Sequence, residues 1–138
     1  AKWILSAIEE SNDFYEKEYS ANKFRFMQKD PNIYLADILQ AGADIQAYTI
    51  GMEKEDFFMD RMAQDAVIRK LAVVGEATKR LPLSIKQREE RVPWKKIAGM
   101  RDVVVHDYAD IDMNIVWQVV KKDLPEIIVA IQRMLKQS

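Results

Sequence analysis

The chain has 138 residues, 49% of them apolar and 31% charged, with a net charge of −1, one histidine and no cysteine. That length suits one domain with a real core and is too short for two. The missing cysteines exclude disulfides and thiolate metal sites, the single histidine leaves zinc short of its usual ligands, and the near-neutral charge argues against indiscriminate binding of nucleic acid by the whole surface.

No apolar run approaches the roughly 20 residues that span a bilayer. No secretory or transit segment is legible, so a reducing cytoplasm is the expected location. Residues 1–26 carry Trp3, Ile4, Ile8, Ser11 and Tyr15 at helical spacing. They read either as an amphipathic helix packing on the rest of the chain or on a partner, or as an extension upstream of a natural start at Met27. We take 1–28 as an N-terminal extension and 29–138 as the helical domain.

Asp30-Pro31 forms a helix start, with Asp at the cap and Pro at the first helical position. Ile33, Leu35, Ile38, Leu39 and Ile45 then allow an apolar face that ends near Gly51. After a short segment with Phe57 and Phe58, the spacing predicts a longer helix from about Asp60 to Leu81, with a stripe of Ala63, Val67, Leu71, Val74 and Thr78. Pro82 ends it. Gly75 lies inside this helix, where glycine is unfavourable and marks a close helix–helix approach. Glu76 beside it reads as an exposed partner for Lys79 or Arg80.

A polar connector, "SIKQREER", leads to Pro93, and the next helix starts at "PWKK". Asp112 is a candidate cap for the last helix, whose stripe is Val116, Val120, Leu124, Ile127, Ile131 and Leu135. Pro125 falls within that run and should kink the helix or shift its start. The fold class that follows is an all-α bundle of four to five helices with short loops.

Charge is unevenly spread. Residues 79–101 hold eight basic side chains against two acids, Glu89 and Glu90, a local balance of +6. Such a stretch suits a phosphate backbone; it also suits a solvated run of helix ends and loops. It leads into "GMRDVVVHDY", where Arg101, His106 and Tyr108 stand close in sequence. Histidine moves protons near neutral pH, and arginine grips phosphate oxygens with a two-pronged fork. Together they suit phosphodiester cleavage by an adjacent 2′-OH, a group that only RNA carries.

The spacing is awkward within one helix. Five residues at about 100° each leave Arg101 and His106 roughly 140° apart and about 7.5 Å apart along the axis. They converge only if the helix loosens after "VVV" or if a second copy completes the site. The acids Asp102, Asp107, Asp110 and Asp112 crowd the same region and read as caps and partners of basic neighbours, with a metal site as the alternative.

"RDVVVHDY" resembles the R-x4-H-x-Y motif of the HEPN superfamily, in its HepT-like ribonuclease-toxin branch. "YLADILQA", "DAVIRKLAVVGEATKRLP", "VPWKKIAGMRDVVVHDY" and "NIVWQVVKKDLP" are similar to that branch in order and spacing, from about Lys29 to the C-terminus. The resemblance implies a HEPN-type helical bundle that dimerises with its two motifs facing one cleft. It implies a metal-independent endoribonuclease that needs no cofactor. Arg101 and His106 match the family's catalytic pair, and Asp102 matches the polar residue that orients it. Tyr108 matches the tyrosine that a cognate nucleotidyltransferase antitoxin modifies with AMP. Lys79, Arg80, Lys95 and Lys96 become candidate RNA contacts.

Two alternatives stand beside this expectation. One is a non-catalytic helical module that binds a nucleotide or the nucleotidyltransferase. The other is a structural adaptor in which Arg101 and His106 are dispensable.

Overall fold

Pro31 opens α1 (Pro31–Tyr48), as its fixed backbone angle favours at a first helical position. The computed structural model describes residues 30–106 and 110–137, with backbone only for 104–106. Tyr34, Ile38, Ala41 and Ile45 step by four, three and four and are all buried. Leu35 and Ile38 are buried as expected, Leu39 is half-buried, and Ile33 is 41% exposed. The stripe runs through Tyr34 instead, one residue on, because that position keeps the helical period with Ile38 and Ala41. The helix stops where the Thr49 hydroxyl donates to the Ile45 carbonyl (2.9 Å) and Gly51 turns to φ +74°. That left-handed conformation strains any residue with a side chain.

α2 (Lys54–Met59) is held by a reciprocal cap between Glu53 and Asp56, with the Glu53 backbone N–H donating to Asp56 Oδ2 at 2.9 Å. It buries Phe57, whose ring lies 5.2 Å from that of Trp117. Asp60 then caps α3 (Arg61–Arg80) by accepting from the Ala63 N–H at 3.0 Å. The predicted stripe is buried throughout, from Ala63 to Thr78, and the Thr78 hydroxyl is satisfied by the Val74 carbonyl at 2.8 Å.

The connector is more ordered than its polar composition suggests. It winds into α4 (Leu83–Lys86) and a 3-10 turn, Gln87–Glu89. The Pro82 carbonyl accepts from both Ile85 and Lys86 N–H. The Trp94 indole N–H donates to the Lys86 and Glu89 carbonyls, each at 3.0 Å. The tryptophan thus fastens the connector to the start of α5 (Trp94–His106).

Asp112 caps α6 (Met113–Gln118), accepting from the Asn114 N–H at 2.8 Å. A π turn, Val119–Asp123, then leads into α7 (Leu124–Lys136). The Leu124 N–H donates to the Val119 carbonyl, one residue farther back than in an α-helix. Pro125 lies just past this wide turn, where it needs no N–H of its own and its ring escapes the usual clash. The extra residue brings both Val119 and Val120 into the core. Beyond it Leu124, Ile127, Ala130, Ile131 and Met134 are buried, so Met134 takes the place expected for Leu135, seven residues after Ile127.

α3 packs against α1 on one side and α5 on the other, and α7 closes on α1. Lys70 Nζ meets Asp44 Oδ2 at 2.9 Å across the α1–α3 seam. No strand occurs among the described residues, and the all-α bundle of the sequence expectation is the fold. No helix among them is long and apolar enough to cross a membrane.

Candidate active site

The crossing of α3 and α5 is set by a missing side chain. A Cβ built at Gly75 would stand 2.6 Å from Arg101 Cβ, 2.9 Å from Arg101 N and 3.1 Å from Ile97 O. No real side chain tolerates the first two, and neither atom can swing away. Gly75 therefore lets the backbone of α5 lie directly on α3 at Arg101, and the close approach expected of this glycine is found.

That contact places Arg101 over the next turn of α3. Its Nε pairs with Glu76 Oε2 at 3.1 Å, and the other oxygen of Glu76 takes Arg80 Nη2, also at 3.1 Å. Lys79 Nζ reaches Asp102 Oδ1 at 2.6 Å, an oxygen that Arg101 Nη1 approaches at 3.4 Å. Among the described residues, three cations thus meet two carboxylates in one linked cluster. Arg101 is 35% exposed at its side chain, and no described residue pairs with its Nη2. The Lys79 hydrogen bond holds the Asp102 carboxyl below its ordinary range, against the opposing effect of partial burial and with help from Arg101. Ion pairs this exposed contribute little to stability. Their consequence is orientation: a guanidinium held at Nε and Nη1, with Nη2 unpaired among the described residues.

Of the candidate residues, the fold brings Lys79, Arg80, Arg101 and Asp102 together. Lys95 and Lys96 lie apart, exposed on the first turns of α5, and Lys96 Nζ meets Asp123 Oδ2 at 2.9 Å. α5 remains helical through His106, so the helix has not loosened after "VVV" and the two backbone positions keep their helical separation. Tyr108 and Asp107 lie outside the described residues. Glu76 is the residue whose role was only half legible. Its pairing with Arg80 follows from four-residue spacing; its grip on Arg101 depends on the α3–α5 crossing. The available signal was the acid standing next to an otherwise unfavourable mid-helix glycine.

A second opening lies beside the site, an apolar one between α5 and α6 with a volume of about 400 Å³, lined by Met100, Val103, Ile111 and Ile115 among others. It carries little polar chemistry, whereas the Arg101 cluster gathers three cations and two carboxylates.

Comparison with known proteins gives the family of the chain. The chain is 38% identical over 101 residues to a Thermococcus cleftensis protein named "Probable ribonuclease HepT", covering 73% of this chain and 92% of that one. It is 39% identical over 111 residues to a Methanocaldococcus jannaschii protein named "Gamma-glutamylcyclotransferase and putative RNase", covering 80% of this chain but half of that longer protein. No solved structure matches it. The family described as Ribonuclease HepT-like matches residues 38–134, which take in α3, α5, Arg101 and His106, and by that match the chain belongs to the HepT-like ribonuclease family.

Proposed function

We propose that this chain is the toxin of a toxin–antitoxin pair, a metal-independent endoribonuclease that cuts RNA with Arg101 and His106 at a cleft between two copies. The observation that carries the proposal is Arg101 itself, held by Glu76 and Asp102 at Nε and Nη1, with Nη2 unpaired among the described residues and offered to a phosphate oxygen. The domain bearing the chemistry is residues 29–138, with 1–28 an extension outside it.

His106 takes the proton from the ribose 2′-OH, and the 2′-oxygen attacks phosphorus. Arg101 stabilises the charge that gathers on the phosphate oxygens. The bond from phosphorus to the 5′-oxygen breaks, and that oxygen leaves as a hydroxyl after taking a proton from an imidazolium. The products are a 2′,3′-cyclic phosphate end and a 5′-hydroxyl end. Asp102 keeps Arg101 and Lys79 in register, while Lys79, Arg80, Lys95 and Lys96 attract the backbone.

Two-fold symmetry accounts for the separation of Arg101 and His106 along a regular helix, because each copy presents both residues to one groove. The nucleotidyltransferase antitoxin silences the enzyme by attaching AMP to Tyr108, two residues past His106. Negative charge and bulk at that point oppose the entering RNA.

The test is cleavage of mixed cellular RNA in EDTA by protein whose mass shows no AMP on Tyr108, beside His106→Ala and Arg101→Ala. Cyclic-phosphate ends that accumulate with time and vanish in both variants are the expected result. Full activity in His106→Ala overturns the assignment. Saturable RNA binding without new ends would instead make the cleft a recognition module.

A further inference from the structure

A groove of about 650 Å³ runs between the connector and the first turns of α5. Its floor is apolar, with Trp94, Leu83 and Ala98 contributing, and its rim carries Lys86, Lys95 and Lys96 against the single acid Glu90. Two features make it more than a surface depression. The only polar atom of the Trp94 side chain is already committed, donating to the Lys86 and Glu89 carbonyls at 3.0 Å each. What the half-buried indole offers the groove is therefore a carbon surface held in one position. Beside it Leu83 is 70% exposed, a large apolar side chain without cover.

The groove also points at Arg101. Trp94, Ala98 and Arg101 are spaced i, i+4 and i+7, so they share one face of α5, and Trp94 and Arg101 are about 10 Å apart along the axis. An occupant must combine flat apolar faces with negative charge, at a distance that clears the atoms reacting at Arg101. A single RNA strand has that chemistry: bases stack on aromatic carbon, and phosphates meet lysines. A duplex does not, because its bases are already stacked on one another.

We propose that this groove is a base-stacking subsite for single-stranded RNA, which takes the base of a nucleotide beyond the two joined at the scissile phosphate. That base lies against Trp94 and Leu83, and its phosphate meets Lys86 and Lys95. The inference rests on the ribonuclease activity proposed above, and makes the enzyme selective for unpaired RNA.

The test uses the full chain and one single-stranded oligoribonucleotide that it cuts, with an abasic ribose walked along the strand. With wild-type protein, one abasic position outside the scissile pair should raise KM about tenfold and leave kcat unchanged. Leu83→Asp, at an exposed site where folding is not at stake, should raise KM similarly on the intact strand and add nothing at that abasic position. Lys86→Ala should raise KM with either strand. An unchanged KM in Leu83→Asp, or penalties that simply add, overturns the subsite while RNA cleavage stands; the apolar groove would then await a protein partner. If the wild-type protein cuts no RNA, the ribonuclease activity fails, and the subsite with it.

Discussion

The two sides of α3 treat charge differently. Toward α1, Lys70 meets Asp44, whose second oxygen accepts from Gln40, in a single ion pair. Toward α5, Lys79, Arg80 and Arg101 meet Glu76 and Asp102 in one linked cluster. Lys70 and Lys79 are nine residues apart, half a revolution around the helix. One face of α3 therefore closes the bundle and the opposite face presents charge. The lesson is that ion pairs on one helix differ in kind: an isolated pair joins two helices, whereas a linked cluster can fix the orientation of one member, Arg101.

The sharpest way to break this difference is at the crossing itself. Gly75→Ala should cost about 1–3 kcal/mol, because the added methyl meets α5 backbone that cannot yield. It should also depress RNA cleavage by displacing Arg101. Gly99→Ala is the control: a Cβ there meets nothing within 4 Å, so the helix should gain about 0.5–1 kcal/mol. Urea midpoints that move in opposite directions confirm the crossing; two equal shifts would refute it.

A smaller effect should come from Glu76→Gln, which keeps the shape of the clamp and removes its charge. We expect kcat to fall about tenfold as Arg101 loosens, with the urea midpoint nearly unmoved. Asp44→Asn on the opposite face should leave kcat alone. Equal kinetics for the two variants would mean that the clamp does not position Arg101.

The smallest effect concerns acid. Because the Asp102 carboxyl is held below its ordinary range by Lys79, its contribution is complete above the pKa of the unfolded chain, near 3.9. It disappears as pH falls through the lower, folded value. The urea-midpoint difference between wild type and Asp102→Asn should thus be constant near neutral pH and shrink only below about pH 4. A difference that changes between pH 6 and 8 would place the titrating group elsewhere.

Much of this was legible from one sequence because helical periodicity is local. The α3 stripe from Ala63 to Thr78 and the Asp112 cap depend only on residues within a few turns, and they fold as their spacing dictates. Errors arose where the phase of a stripe was ambiguous. Ile33 is apolar but stands about 140° around the helix from Ile38, whereas Tyr34 keeps the four-residue step and is buried. Met134 and Leu135 stand three and four residues after Ile131, both allowed helical steps, and packing buries Met134. The connector looked like a loop because its residues are polar, and its order comes from an indole several residues away. At the candidate site, the motif was readable as chemistry. The Glu76–Arg101 clamp was not, because it joins residues 25 apart in sequence through a crossing that Gly75 permits.

The wide turn at Val119–Asp123 has a consequence for how this protein can change length. It acts as slack in a coupling: the turn takes up one residue more than an ordinary helical turn, so α6 and α7 stay in line although the count between them is one too many. Deleting Lys121 would draw in that slack and let the segment close as an ordinary helix, with Ile127, Ile131 and Met134 still buried. Its local cost is the cation over the Trp117 ring, where Lys121 Nζ now stands 4.7 Å from the centroid. A second deletion would find no slack left and would turn α7 by roughly 100° relative to α6. The segment therefore tolerates the loss of one residue and not of two.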